Sequence, residues 1–217
     1  KKLQKELSNH VIIVGYGVTG KTVAKELLAK EYNKDQIVLI DNREDAIKEA
    51  AEDDFIGLLG DASSESMLSK AVVTRADHII ITTSRDDTNV LISLTAKDMN
   101  NNLKIIARAN QEENTKLLKR SGADIIISPS TAGGHLMAAA TKHEHLANLL
   151  EDMLTAARGI TMRERAVKEG ELGKKPKEIS GKVVIGVHRK GRLLSIPEMD
   201  TAKLAAGDIL IFLEKKS

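Results

Sequence analysis

Apolar residues follow two alternating patterns along the first 130 positions. Short, mostly apolar runs rich in β-branched residues occupy 10–14, 36–41, 55–59, 78–83, 103–109 and 124–127. Between them lie stretches in which apolar residues recur every three or four positions, at 21–30, 43–53, 63–71, 86–99 and 112–121. Runs that are apolar on both sides of the pleat predict strands covered on both faces, and the periodic stretches supply the helices that cover them. The pattern predicts an α/β fold, a Rossmann-like parallel six-stranded sheet.

After position 130 the pattern changes. Leu136, Met137, Ala140, Leu146, Leu149, Leu150, Met153 and Leu154 predict one long helix over 131–157 with no strand to follow it. Such a helix bridges to a second lobe or buries its face against another subunit. From 158 to 217 glycines punctuate short apolar segments at 182–188, 193–196 and 208–213, which predicts a small α+β lobe of about 60 residues that depends on pairing for stability. At the other end, Leu3 and Leu7 are one turn apart and suggest a helical lead-in over 1–8 that continues from something upstream. The expected division is therefore 1–8, 9–130, 131–157 and 158–217.

The richest local signal sits at the end of the first apolar run. Gly15-Tyr16-Gly17-Val18-Thr19-Gly20 leads from that strand into a helical stretch, and the second strand closes on Asp41, 21 residues after Gly20. Strand, glycine turn, helix, strand and acid together form the dinucleotide-binding fingerprint. Gly15 permits the tight turn, Gly17 lets the backbone approach a pyrophosphate, and Gly20 lets helix and strand pack closely. The free N–H groups at the helix start, with the positive end of its dipole, suit an anion. Asp41 would accept hydrogen bonds from ribose hydroxyls and repel a 2′-phosphate, favouring NAD-type or ADP-type ligands; Arg43 slightly weakens that exclusion.

Composition narrows the partners. Net charge is +2 with 29% charged residues, and no long block of one sign appears, which argues against a nucleic-acid binder. Aromatics make up only 2%, too few for base-stacking platforms. Without cysteine there is no disulfide framework or thiolate chemistry, and no apolar run approaches a membrane span, so a cytoplasmic location is expected. His143 and His145 invite a metal reading, but on one helix they point roughly 200° apart, and His135 lies about 12 Å from His143 along the axis. They read as helix-surface histidines. Nucleophile elbow, paired catalytic carboxylates and P-loop are missing from the sequence, so an enzyme is not expected, with an NAD-dependent oxidoreductase as the alternative from another class.

Further motifs carry a resemblance. Asn9 to Gly17, Gly60-Asp61-Ala62, Ile106-Ala107-Arg108-Ala109 and Gly122-Ala123-Asp124 followed by an apolar strand and Ser128-Pro129 resemble the RCK family, the regulators of potassium conductance related to TrkA-type uptake subunits. The resemblance implies a ligand-sensing regulatory module of a potassium channel whose pore domain is its membrane partner. It implies homodimers built on the crossover helix and assembled into an octameric gating ring at the inner face of the membrane. A Trk- or Ktr-type uptake subunit and a Ca²⁺-gated module are the alternatives within the family. The expected cofactor is NAD or an ADP/ATP-type nucleotide, held by Gly15, Tyr16, Gly17, Val18, Thr19 and Gly20, by Asp41, Asn42 and Arg43, by the Gly60, Asp61 and Ala62 loop, by Thr82 and Thr83, and by Arg108 on a phosphate. Two departures stand out. The arginine that many relatives carry after the second glycine is Val18 here, with Lys21 as a possible substitute. The carboxylates of the calcium-gated branch correspond to Thr82, Arg108 and Asn110, so Ca²⁺ would need an unidentified site, for example near Asp86 and Asp87, which otherwise read as helix-opening acids.

Overall fold

The computed structural model describes residues 7–154 and 160–215. They divide into two compact units, one ending at Ala139 and the other beginning at Ala140.

The first unit holds six parallel strands: β1 (His10–Val14), β2 (Ile37–Asp41), β3 (Ile56–Leu59), β4 (Ala76–Ile81), β5 (Lys104–Arg108) and β6 (Ile125–Ile127). Their order in the sheet is β3-β2-β1-β4-β5-β6. β1 is central, with Ile12 opposite Val38 of β2 on one side and Ile79 of β4 on the other. The alternation of β1 feeds two separate cores. Ile12 and Val14 face a cluster with Val38, Ile40, Ile79, Ile81 and Ile105, whereas Val11 and Ile13 face Ile37, Leu39, Ala24 and Ala46. A strand buried on both faces needs apolar residues at successive positions, which is why 11–14 and 37–40 are unbroken, while His10 at the start of β1 is buried with its Nε2 2.8 Å from the Ala71 carbonyl oxygen. The covering helices are α1 (Val18–Ala29), α2 (Glu44–Glu52), α3 (Glu65–Lys70), α4 (Asp86–Met99) and α5 (Thr115–Arg120).

The fourth strand starts and stops two residues earlier than its apolar run suggested, which places Thr82 and Thr83 beyond the strand end. The expected helix at 112–121 opens as a one-turn 3-10 helix, Glu112–Asn114, before α5.

The long helix expected over 131–157 is two helices, α6 (Pro129–Ala140) and α7 (Glu144–Leu154). The physical reason is in the sequence: Thr141-Lys142-His143-Glu144-His145 interrupts the apolar stripe for a full turn. With no apolar residue to anchor that turn, the chain leaves the helix and restarts, the Leu146 N–H donating to the His143 carbonyl at 3.0 Å. Residues 155–157 of the expected helix, and 1–6 of the expected lead-in, lie outside the described residues.

The second unit carries an antiparallel sheet, β7 (Ile160–Ala166), β8 (Val183–Arg189), β9 (Arg192–Leu193) and β10 (Ile209–Lys215), in the order β7-β10-β8-β9. Val187, Leu194, Leu204, Leu210 and Phe212 form its core. The strand expected over 193–196 ends at Leu193. Ser195 instead caps α8 (Ile196–Thr201), its N–H and hydroxyl both donating to Glu198, and Pro197 suits the first turn. β7 was not legible because Arg163, Glu164 and Arg165 break its apolar pattern.

Candidate functional site

The order in which strands are added reverses at β1. From β1 the chain builds outward through β2 and β3, then returns to place β4 on the other side, so the β1 and β4 carboxyl ends leave a crevice between their loops. A cleft of about 580 Å³ opens there. Of the expected residues, Gly15, Gly17, Val18, Thr19, Asp41, Asn42, Arg43, Gly60, Asp61, Ala62, Thr82, Thr83 and Arg108 line it. Tyr16 and Gly20 do not.

The glycine turn is held on both sides. The Gly15 N–H donates to the Ile40 carbonyl at 2.8 Å, and the Thr82 N–H to the Val14 carbonyl at 2.8 Å. The Thr82 hydroxyl lies 2.9 Å from the carbonyl oxygens of both Val14 and Gly15. Each glycine has its own reason. Gly15 has φ +92°, in the left-handed region that a side chain disfavours. A Cβ on Gly20 would sit 1.9 Å from the Gly15 carbonyl oxygen, so only glycine lets α1 pack this close to the turn. A Cβ on Gly17 would meet nothing within 4 Å. Gly17 leaves open space at the cleft, where a ligand can come close to the chain's own backbone.

Tyr16 faces away. Its ring packs edge-on against Phe55, with centroids 6.1 Å apart, and its hydroxyl donates to Asp53 at 2.8 Å. Burial, with Asp53 beside it, drives the phenol well above the usual tyrosine range. Only its backbone serves the site: the Tyr16 N–H donates to Asp41 Oδ2 at 2.7 Å. Asp41 also accepts from the Arg43 N–H at 2.9 Å and is nearly buried. The Arg43 Nε lies 3.4 Å from Oδ1 as well, and of the carboxylate's about four acceptor positions those that these partners leave face a ligand in the cleft.

α1 starts on Gly17 with no side-chain cap and no acid in its first turn. Its first N–H groups therefore open onto the cleft with neither a side-chain cap nor an acid of the first turn to satisfy them. Val18 is 87% exposed and brings no charge. Lys21 does not substitute for a phosphate-binding arginine: it pairs with Glu49 and lies over the Tyr16 ring. The cation at this end is Arg108. Its Nη1 reaches Thr19 Oγ1 at 3.3 Å, across 89 residues of sequence, and its Nε is buried with no hydrogen-bond partner. A planar fork with an unspent donor, beside a bare helix N-terminus and a turn with room for a ligand, fits a phosphate.

Sequence reasoning missed the cleft's far wall, where Ser84, Arg85, Thr88 and Ile92 stand beside Thr83. The signal was available, since the rule that ligands bind at strand carboxyl ends applies to β4 as well as to β1. Arg85 forks onto Asp87 at 3.1 and 2.5 Å and holds that carboxyl well below the usual range.

Asp86 is no cation ligand here. It accepts the N–H groups of Asn110 and Gln111 and the side-chain amides of Asn110 and Asn114, all at 2.8–3.0 Å. Burial would raise its pKa, but these donors override it and hold the group low. Among the described residues no three His, Asp or Glu side chains gather where an ion could bind, and no helix is long and apolar enough to cross a membrane.

Residues 11–129, more than half of the chain, match the TrkA-N domain family. The chain belongs to this family. It is an RCK/TrkA-type regulatory domain, and the TrkA-N match covers the whole sheet that frames the cleft except its first residue. Among curated relatives, potassium channel protein 1 of Methanocaldococcus jannaschii is 32% identical over 95% of this chain and 63% of its own length. The chain thus spans about three fifths of that relative. A Trk system potassium uptake protein TrkA homolog of Methanothermobacter thermautotrophicus is 27% identical over 88% of this chain and 87% of its own. Among solved structures, the GsuK RCK domain is 28% identical over 94% of this chain and 44% of that one, with a TM-score of 0.56. The GsuK channel bound to NAD matches 95% and 36% of the two chains at 28% identity and a TM-score of 0.56. GsuK bound to ADP matches 65% and 36% at 30% identity and a TM-score of 0.55.

Proposed function

We propose that this TrkA-N chain is the ligand-sensing module of a potassium channel, and that it binds an adenine nucleotide of the NAD or ADP/ATP type in the cleft at the β1–β4 crevice. The observation that carries this reading is the convergence of the glycine turn, Asp41, the Gly60-Asp61-Ala62 loop and Arg108 on one cleft. Asp41 accepts from the ribose hydroxyls. The Gly60 loop borders the adenine. The open face of Gly17, the N–H groups of Val18 and Thr19, and the Arg108 fork take the phosphates. The potassium channel protein of M. jannaschii and the NAD- and ADP-bound GsuK structures support it.

In this reading the module lies at the cytoplasmic face of the membrane beneath the attached pore domain, with protomers paired through α6 and α7 and dimers assembled into an octameric ring. Nucleotide shifts the ring only as far as its affinity differs between two arrangements. Moving a 1:99 population to 99:1 takes about 5.5 kcal/mol, which subunits switching together could supply in steps of about 1 kcal/mol.

The testing experiment is a thermal-shift panel with NAD⁺, NADH, ADP, ATP, AMP and Ca²⁺, one at a time, on wild type and Asp41→Ala. A selective ligand at about 100 times its dissociation constant adds roughly 2.7 kcal/mol to the folded state. One nucleotide should raise Tm in wild type and far less in Asp41→Ala; silence from every nucleotide, or an unchanged response in the variant, would sink the reading. A second reading, a Trk-type uptake subunit, is favoured by the match to 87% of the M. thermautotrophicus TrkA homolog. Pore helices encoded in the same reading frame would decide for the channel.

A further inference from the structure

Asn89 is the fourth residue of α4 and is 0% exposed. Both ends of its amide are engaged. Nδ2 donates to the Arg108 carbonyl at 2.9 Å and lies 3.4 Å from the Thr83 carbonyl, while Oδ1 accepts from the Thr83 hydroxyl at 2.6 Å. The reversed amide would set oxygen against two carbonyl oxygens, so the network admits one orientation.

One helical side chain therefore ties together the loop after β4 and the end of β5, at two residues that both line the cleft. A buried amide costs desolvation that an apolar side chain of the same size would not, and its hydrogen bonds only offset that cost. What it adds beyond packing is position. The Arg108 side chain departs from the very residue whose carbonyl Asn89 holds, then crosses to Thr19 with its Nε unspent. Asn110 and Asp86 brace the same corner from outside, with Asn110 Nδ2 donating to the Thr83 carbonyl at 3.2 Å. Of the side chains at this corner, Asn89 is the one that donates to the Arg108 carbonyl.

We propose that Asn89 is a positioning residue for phosphate recognition: it holds the Arg108 backbone so that the guanidinium is aimed at the glycine turn before ligand arrives. The proposal rests on the nucleotide reading above. Pre-aimed, Arg108 binds phosphate without first losing the freedom of a long side chain.

The test is calorimetric titration of the full chain with ADP and with adenosine, for wild type, Asn89→Ala, Asn89→Leu, Arg108→Met and the Asn89→Ala/Arg108→Met pair. Asn89→Leu keeps the side-chain bulk without a buried charge but loses the donor to Arg108, so it serves should Asn89→Ala fail to fold. Both Asn89 variants should bind ADP about tenfold more weakly, the order expected for one hydrogen bond to a charged group, and adenosine unchanged. The double variant should bind ADP no more weakly than Arg108→Met alone, because Asn89 acts through Arg108. Additive losses, or equal losses for ADP and adenosine, would overturn the proposal and leave Asn89 a structural residue. If Arg108→Met binds ADP like wild type, the nucleotide reading of this end of the cleft falls, and the proposal with it.

Discussion

Gly17 and Gly20 stand one helical turn apart and are glycine for unrelated reasons. At Gly20 a methyl group would collide with the Gly15 carbonyl oxygen; at Gly17, with φ −85°, it would fit the protein but occupy the ligand's space. The two substitutions should therefore separate stability from binding. Gly20→Ala is expected to cost at least about 1–3 kcal/mol, the range for forcing atoms into a packed site, and to lower Tm accordingly. Gly17→Ala is expected to stay within about 1 kcal/mol of wild type, since it alters only a helix cap, yet to lose most of its affinity for ADP. Chemical denaturation paired with ADP titration reads both quantities on the same samples.

At the scale of elements, α1 and α4 carry the site in different ways. α1 contributes its bare N-terminus, whereas α4 opens with Asp86 and Asp87 and uses its first turns to bind the ends of β4 and β5. In the second unit, ion pairs fasten the sheet. Arg165 forks onto Glu171 at 2.6–2.7 Å and holds that carboxyl down to about 2; Arg189 forks onto the buried Asp208 and lowers it as well. Both groups titrate lower in the folded lobe than unfolded, so they stabilise it above the ordinary carboxylate range. The Glu171 contribution is lost as pH falls toward about 2. Arg165→Met should be less stable than wild type at pH 7, with the difference closing between pH 4.5 and about 2. Urea melts across that interval measure it, and a gap that stays constant would show that the arginine acts by packing on Phe212 instead.

For the whole molecule, the boundary at Ala139 and Ala140 leaves each unit its own core. Every residue that lines the cleft lies before Arg120. A fragment ending at Ala139 should accordingly bind ADP within about threefold of the full chain, a difference below 1 kcal/mol. Calorimetry on the two proteins checks this, and a larger loss would mean that the second lobe takes part in binding. How much of this was legible follows from distance along the chain. The six strands, the glycine turn and Asp41 are set by patterns within about 40 residues, so they can be read directly. The split between α6 and α7 was also written in the sequence, as five polar residues across the apolar stripe, although the residues on either side suggested one helix.

What the sequence determined by itself is the alternation of buried strands and covering helices, the turn that only glycine can make, and the acid that closes the second strand. These depend on local backbone conformation and on which side chains leave water, and both are properties of short segments. What tertiary structure decided is which side chains meet. Lys21 turned to Glu49 while Arg108 crossed to Thr19, and Asn89 joined Thr83 to Arg108. Each of those outcomes joins residues that only the packed sheet brings within hydrogen-bonding distance, where a few tenths of an ångström settle which partner a charged or amide group finds.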